Sequence, residues 1–457
     1  MKPGLASILL FGLGGLVLSA TARGQGAVSR PGSPGELEVV ALTHAQVIDG
    51  TGAAAREDQT LLIQGGRILL LGPSDRTKLP AKARVLNLRG RSVLPGLVML
   101  HEHLFWVYEV VRGIGISHPQ HHSFPRMYLA HGVTTLRTAG ADFPYMDLKL
   151  KRRIDSGELP GPEIHLTSPY FSGDGDPFLG AMDVRSGDDA RRVVRYWAAE
   201  GFTSFKAYQS VRREVLAAMI DEAHRLKLPV TAHLGETMSC REAAELGIDN
   251  IEHGCAETRD DVEPDMNGPK TQALVRALIE RHVVLTVTPV DGLRPMPDAV
   301  RNLYDPSARE RYARVITAIR SRRPASSSEE DPTATPSAHF LRSFAMAGGR
   351  LVLGSDSGSM GNVPGRADQE ALENLVRCGF TPLEAIRVAT LDGATFLGIQ
   401  DRTGSIQAGK EADLLVVRGN PLQRIEDIEN VERVFANGKA YDPKVLLAEV
   451  KGELGWH

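Results

Sequence analysis

His101-Glu102-His103 closes an apolar run, Val93-Leu94-Pro95-Gly96-Leu97-Val98-Met99-Leu100, that reads as a buried strand. Positions i and i+2 of a strand share a face, so both imidazoles are offered to one side of its end. Two neutral imidazoles converging there make half of a transition-metal site. The remaining ligands must come from the ends of other strands. Strand-like runs elsewhere end in Ser204-Phe205-Lys206-Ala207-Tyr208, Thr231-Ala232-His233, Ile251-Glu252-His253-Gly254 and Leu353-Gly354-Ser355-Asp356-Ser357. Four histidines and an aspartate gathered at strand ends are metal-ligand chemistry, and chance packing explains them poorly.

Lys206 poses a separate question. An ammonium has three donors and no acceptor, so it cannot ligate a cation as it stands. It can form a Schiff base, hold a substrate anion, or take up CO2 as a carbamate that bridges two cations. The carbamate suits its neighbours best. His101, His103 and Asp356 would then serve one divalent ion, and His233 and His253 the other. Such a donor set accepts zinc, manganese, cobalt or iron, with zinc the expected ion.

The elements that must position these groups alternate. Strand-like runs end near Leu100, Arg137, Thr167, Ala207, Ala232, Glu252, Thr288 and Gly354, with helical patterns between them. The clearest helix, 212–226, places Val215, Leu216, Met219, Ile220, Ala223 and Leu226 on one face. Eight such units over about 300 residues predict an α/β chain with a (β/α)8 TIM barrel, whose active sites lie at the C-terminal ends of the strands. A doubly wound sheet would need a glycine-rich phosphate turn after its first strand, and the sequence has none.

Both flanks are β-rich, with short strands at 37–41, 47–48, 60–64, 67–71 and 85–88, then 413–417 and 431–435. Gln64-Gly65-Gly66-Arg67 and Ala436-Asn437-Gly438-Lys439 are hairpin turns. We expect one small β-sandwich built from both chain ends. The resulting division is a signal peptide at 1–22, a linker at 23–36, sandwich at 37–97, barrel at 98–405, and sandwich plus tail at 406–457. The polar stretch 320–336 reads as a surface loop between strands 7 and 8.

Composition narrows the function. Over 457 residues, 42% hydrophobic and 24% charged content is that of a globular protein, and a net charge of −3 offers no footprint for nucleic acid. Lys2, an apolar stretch over 5–18 and Ala20-Thr21-Ala22 predict export with cleavage after Ala22. The mature protein would be secreted or periplasmic, with no lasting membrane span. Three cysteines, Cys240, Cys255 and Cys378, make no disulfide framework, and Cys255 is expected to be a small buried hydrophobe. A homo-oligomer is compatible with this composition.

At this point the chain resembles a known family. The run Val93 to His103, Lys206, Ile251-Glu252-His253-Gly254, Gly354-Ser355-Asp356 and the return Gly404-Ser405-Ile406-Gln407-Ala408-Gly409-Lys410-Glu411-Ala412-Asp413-Leu414 look like the signatures of the amidohydrolase superfamily. The nearest group is the imidazolonepropionase- and prolidase-like enzymes. The resemblance covers nearly the whole mature chain. It implies a binuclear hydrolase of small amides or dipeptides, in which a hydroxide bridged between two ions attacks the carbonyl. Asp356 would be both ligand and proton shuttle.

Two departures from the family bear on substrate. Arg137-Thr138 stands where relatives often have Arg-Asp, and Asn362-Val363-Pro364-Gly365-Arg366 lacks a histidine many carry after the last strand. Tyr208, Tyr170, Arg137 and Arg366 are candidates for holding an oxyanion or a substrate carboxylate. His118, His121 and His122 fall in a loop after strand 1, without a scaffold for ligation. Asp174 and Asp176 sit in a calcium-like loop that lacks the later acidic ligands. Two other functions compete. A mononuclear deaminase using Glu236 would leave Lys206 without a role, and a non-catalytic binding protein would not need all six ligand positions.

Overall fold

The computed structural model describes residues 38–111, 114–173, 180–235, 238–255, 268–288, 298–320, 336–358 and 362–455. The expected leader and linker, Asp174, Asp176, Glu236 and residues 321–335 of the polar insertion lie outside them. Among the described residues no helix is long and apolar enough to cross a membrane.

Five strands open the described chain: β1 (Val39–Val47), β2 (Arg56–Gln64), β3 (Arg67–Pro73), β4 (Arg84–Asn87) and β5 (Arg91–Pro95). The expected strands at 37–41 and 47–48 are one strand. Register shifts after Leu42 and after Ala45, with His44 at φ +58°, bend β1 without breaking it. Gly65 and Gly66 both take positive φ, which the two-residue turn between β2 and β3 requires.

The central strands follow. They are β6 (Leu97–Glu102), the hairpin β7 (Phe105–Val111) and β8 (Ile114–Pro119), then β9 (Val133–Thr138), β10 (Glu163–His165), β11 (Thr167–Ser172) and β12 (Met182–Asp183). Next come β13 (Ser204–Ala207), β14 (Val230–Ala232), β15 (Asn250–Glu252), β16 (Val284–Val287) and β17 (Arg350–Leu353). Parallel pairing runs β6–β9–β10 in one sheet and β12–β11–β13–β14–β15–β16–β17 in another. Only Leu166 separates β10 from β11, where Thr167 N–H donates to Thr138 Oγ1 at 2.8 Å. The expected strand end near Thr167 is therefore a break inside a longer strand. At the far side Asp356 N–H donates to the His101 carbonyl at 3.0 Å, tying the segment after β17 to β6. This parallel α/β order is consistent with a barrel.

The predicted helix 212–226 is observed as Arg213–Arg225, burying Val215, Leu216, Met219, Ile220 and Ala223. Leu226 falls past its last turn and is exposed.

The chain returns through β18 (Leu414–Arg418), β19 (Val431–Ala436) and β20 (Lys439–Tyr441). β18 pairs antiparallel with β5, so both chain ends share one eight-stranded sheet in the order β20–β19–β18–β5–β1–β2–β3, with β4 on β1. Strand alternation gives that sheet two apolar faces. Leu414 and Val416 pack with Leu42, Val47, Leu61 and Val93, while Leu415 and Val417 join the large core that holds the helices.

His131, after the helix Ser123–Ala130, is half-buried beside Gly365 and donates from Nδ1 to the Met127 carbonyl at 2.8 Å. Burial, with the Arg366 charge adding to it, lowers its pKa from 6.5 to about 4. The unfolded chain then binds a proton that the fold refuses, so stability is lost as pH falls from 6.5 towards 4. The loss is on the order of 3 kcal/mol for this residue. Urea titrations of the native protein and His131→Asn should diverge across that window, with the variant showing the shallower acid loss; parallel curves would refute the assignment.

Candidate active site

His101 and His103 leave the end of β6 where its pairing with β9 is irregular between Met99 and Glu102, a distortion that re-aims side chains. Their Nε2 atoms lie 3.3 Å and 2.9 Å from the same oxygen, Asp356 Oδ1. Asp356 reaches them because Gly354 lets β17 approach β6. A Cβ at Gly354 would stand 2.4 Å from His101 Cβ. Asp356 itself adopts φ +52°, a conformation disfavoured for residues with a Cβ and frequent at functional sites.

Glu102, between the two histidines, turns the other way. It accepts hydrogen bonds from Ser355 N–H (2.9 Å), Ser355 Oγ (2.8 Å), Ser357 Oγ (2.7 Å) and Tyr128 Oη (3.1 Å). It thereby clamps both neighbours of Asp356.

Beneath the pair, Glu252 of β15 is fully buried. Its Oε2 accepts from His101 Nδ1 at 2.8 Å, and its Oε1 accepts from Arg137 Nη2 at 2.7 Å and from Thr231 Oγ1. Bonding at Nδ1 leaves the His101 Nε2 lone pair for a ligand, the usual arrangement behind a metal-bound imidazole. Beyond it the rings continue: His253 lies 4.6 Å from His101 and His233 lies 4.4 Å from His253, centroid to centroid. His253 Nε2 and His233 Nδ1 face each other at 3.1 Å, and His253 Nδ1 bonds Thr288 Oγ1 at 2.9 Å.

Lys206 of β13 is 1% exposed. Among the described residues its Nζ has no hydrogen-bond partner, and it stands 3.9 Å from Glu252 Oε1.

The electrostatics favour cations. Burial works against the Asp356 carboxylate, but the His101 charge and the hydrogen bonds from His101 and His103 outweigh it and hold its pKa well below the usual range. Burial likewise opposes charge on His101, yet Glu252 and Asp356 raise its pKa, so negative potential is in surplus at that ring. Burial, reinforced by the Lys206 and His101 charges, lowers His233 to about 4 and keeps it an unprotonated donor. His101, His103 and Asp356 offer ligand atoms within 4.8 Å of one another. This set fits a divalent ion, as does the facing His233–His253 pair, and the buried Lys206 nitrogen beside Glu252 has no hydrogen-bond partner among the described residues.

The six sequence candidates for ligation thus gather at the strand ends. Of the four substrate candidates, Tyr170 and Tyr208 join them, with ring centroids 5.2 Å apart and Tyr208 5.1 Å from His233. Burial, with Asp142 nearby, pushes the Tyr170 phenol well above its ordinary pKa, so it stays a donor. Arg137 is placed differently, with Nε and Nη2 spent on the Leu100 carbonyl at 2.8 and 2.6 Å and Nη2 also on Glu252. It supports the site from below. Arg366 is held by Glu370, Glu373 and Glu429, none of them a site residue.

The loop expected to carry His118 is the β7–β8 hairpin, with Trp106 opposite His118. His121 pairs with Asp147 at 2.6 Å and His122 with Glu453 at 2.7 Å. The cysteine reading is corrected: Cys240 and Cys255 form a disulfide, because adjacent parallel strands bring their Cα atoms to 6.0 Å. Glu102, Glu252 and Thr288 were not singled out from sequence. The signal available was the placement of both glutamates directly beside a ligand histidine.

Comparison with known proteins agrees with this geometry. Residues 92–441 match the amidohydrolase family. The chain is 25% identical over 413 residues to an imidazolonepropionase of Deinococcus radiodurans, covering 81% of this chain and 88% of that one. A candidate prolidase from Bifidobacterium longum superposes with a TM-score of 0.67 at 27% identity, over 91% of this chain and all of the other. A Xaa-Pro dipeptidase with bound methionine superposes at 0.68, with 22% identity over 89% of this chain and 100% of that one, a likeness of fold. Members of this superfamily generally use divalent metals. With a match spanning most of its length and a histidine–aspartate cluster at its strand ends, the chain belongs to the amidohydrolase family, hydrolases of carbon–nitrogen bonds in small amides or peptides.

Proposed function

We propose that this protein is an exported, binuclear metal-dependent hydrolase of an amide or dipeptide-like bond, built on a (β/α)8 barrel with a small β-sandwich from both chain ends. The observation that carries the reading is Lys206, a buried amine without a hydrogen-bond partner among the described residues, in the same cluster as four histidines and an aspartate. A mononuclear deaminase gives such a lysine nothing to do. The relatives support the bond class, since they include an imidazolonepropionase and a dipeptidase.

The residues divide the work. His101, His103 and Asp356 would hold one ion and His233 and His253 the other, with Lys206 as its carbamate offering an oxygen to each. Forming that carbamate joins neutral Nζ to the carbon of CO2 and releases one proton. Burial, which lowers the amine to about 8, keeps the neutral form accessible near physiological pH. When bound, the ions, zinc by expectation, supply a water of lowered pKa and a Lewis acid for the carbonyl. Asp356 takes a proton from the attacking water and delivers it to the departing nitrogen. Its side chain retains 42% exposure, so substrate can reach it. Tyr170 and Tyr208 donate to the carbonyl oxygen as negative charge develops there.

A panel of N-acyl amino acids and dipeptides, offered to the metal-loaded mature protein, tests the activity. Release of free amino acid is the expected result, and a panel without turnover would contradict it. Export is checked separately by N-terminal sequencing of protein from the native host. A mature chain beginning at Arg23 is expected, whereas cytoplasmic protein beginning at Met1 would refute it.

A further inference from the structure

The Cys240–Cys255 disulfide joins the two segments that present His233 and His253. His233 immediately follows β14 and His253 immediately follows β15, and these strands are parallel neighbours, with Thr231 opposite Asn250 and Ala232 opposite Ile251. Cys240 opens the helix Cys240–Leu246, anchored by Ser239, whose side chain accepts from Glu242 N–H while Glu242 bonds back to Ser239 N–H. Cys255 lies two residues beyond His253. Both cysteines are fully buried.

The backbone between His253 and Cys255 is what needs holding. His253 has φ +63° and Gly254 φ +77°, so two consecutive residues are left-handed and the first of them carries a Cβ. Such a conformation persists only where the surroundings determine it. Thr288 holds the His253 ring through Nδ1, but the turn beyond it is tied to a capped helix through the disulfide. Among the described residues no corresponding cross-link holds His101, His103 or Asp356, whose positions rest on Glu102, Glu252 and the β6–β17 approach.

We infer that the Cys240–Cys255 disulfide is a positioning element for one half of the metal centre: it fixes the left-handed turn that aims His253 at His233, and without it that half alone holds its ion more weakly. The inference rests on the binuclear reading above and assigns the cysteines a role in it. A trialkylphosphine cleaves the disulfide to two thiols, the phosphorus being oxidised to the phosphine oxide with oxygen from water. The Cys240→Ala/Cys255→Ala variant reaches the same end without a reductant and keeps small apolar groups in the buried positions.

The test titrates cobalt(II) into three samples, each stripped of metal from holoprotein: the disulfide form, the phosphine-reduced form and the double alanine variant. Absorption spectra and equilibrium dialysis are read together. The disulfide form should bind two ions. The other two should bind the first ion unchanged and the second at least about tenfold more weakly, the effect of losing a group that orients a ligand. The Cys378→Ser variant, which leaves the disulfide intact, should match the disulfide form. Two ions bound equally well in all three samples would overturn the inference and leave the binuclear reading standing. A parallel weakening of both ions would also overturn it, since that is a general loss of fold. A disulfide form that binds only one ion would overturn the binuclear reading, and this inference with it.

Discussion

Lys206→Ala should lose most of both metal ions and most of its turnover, a fall on the order of 10³-fold or more, because one side chain serves both cations. Removing His253, a ligand to a single ion, should leave the His101–His103–Asp356 group occupied. Short carboxylic acids should restore part of the activity of Lys206→Ala by filling the bridging position. They should do nothing for Asp356→Ala, where proton transfer is missing as well as ligation. A Schiff-base lysine would behave differently, with the mutant keeping its metals and borohydride trapping substrate on the native protein. Metal analysis of Lys206→Ala showing full occupancy would sink the proposed bridge.

The second large effect is expected at Glu252, where stability and metal binding meet. Its carboxylate is fully buried and is the partner of Arg137, His101 and Thr231 together. Burial raises its pKa, but Arg137, His101 and Lys206 outweigh that and hold it well below the carboxylate range. Glu252→Gln keeps the shape and removes the charge, stranding the Arg137 guanidinium in the interior. Breaking one side of such a pair costs about 3–5 kcal/mol. The single amide oxygen cannot serve both Arg137 and His101, and the negative charge behind the imidazole is gone, so metal affinity should drop roughly 10–100-fold. Adding Arg137→Met removes the stranded charge, and stability should partly return while metal affinity does not. Chemical denaturation and metal dialysis on both variants check this; recovery of the two properties together would show that Glu252 acts only through Arg137.

Much of this architecture was legible from local pattern. The two hairpin turns were readable because Gly65-Gly66 and Asn437-Gly438 are residue pairs suited to two consecutive positive φ angles. The helix Arg213–Arg225 followed from its apolar spacing, and the ligand candidates from their places at the ends of strand-like runs. What escaped notice depends on long-range approach. The disulfide needs two segments that are neighbours only because β14 and β15 pair. Glu252 meets residues 115 and 151 positions away, so nothing near it in the chain announces Arg137 or His101 as partners. Arg137 sat at a strand end in the sequence and looked substrate-facing, but its guanidinium points to the Leu100 carbonyl. The third strand looked finished near Thr167, yet pairing with β13 carries it on to Phe171 and pairing with β12 to Ser172.

A binuclear site completed by carboxylation of Lys206 makes metal loading depend on CO2, a dependence that the metal content of reconstituted protein reads out. Metal-free mature protein is to be loaded with zinc in bicarbonate buffer and, separately, in buffer scrubbed of CO2, and the bound metal measured after dialysis. About two ions per chain are expected with bicarbonate and markedly fewer without it. One ion per chain in both buffers, or two in both, would rule out the carbamate bridge.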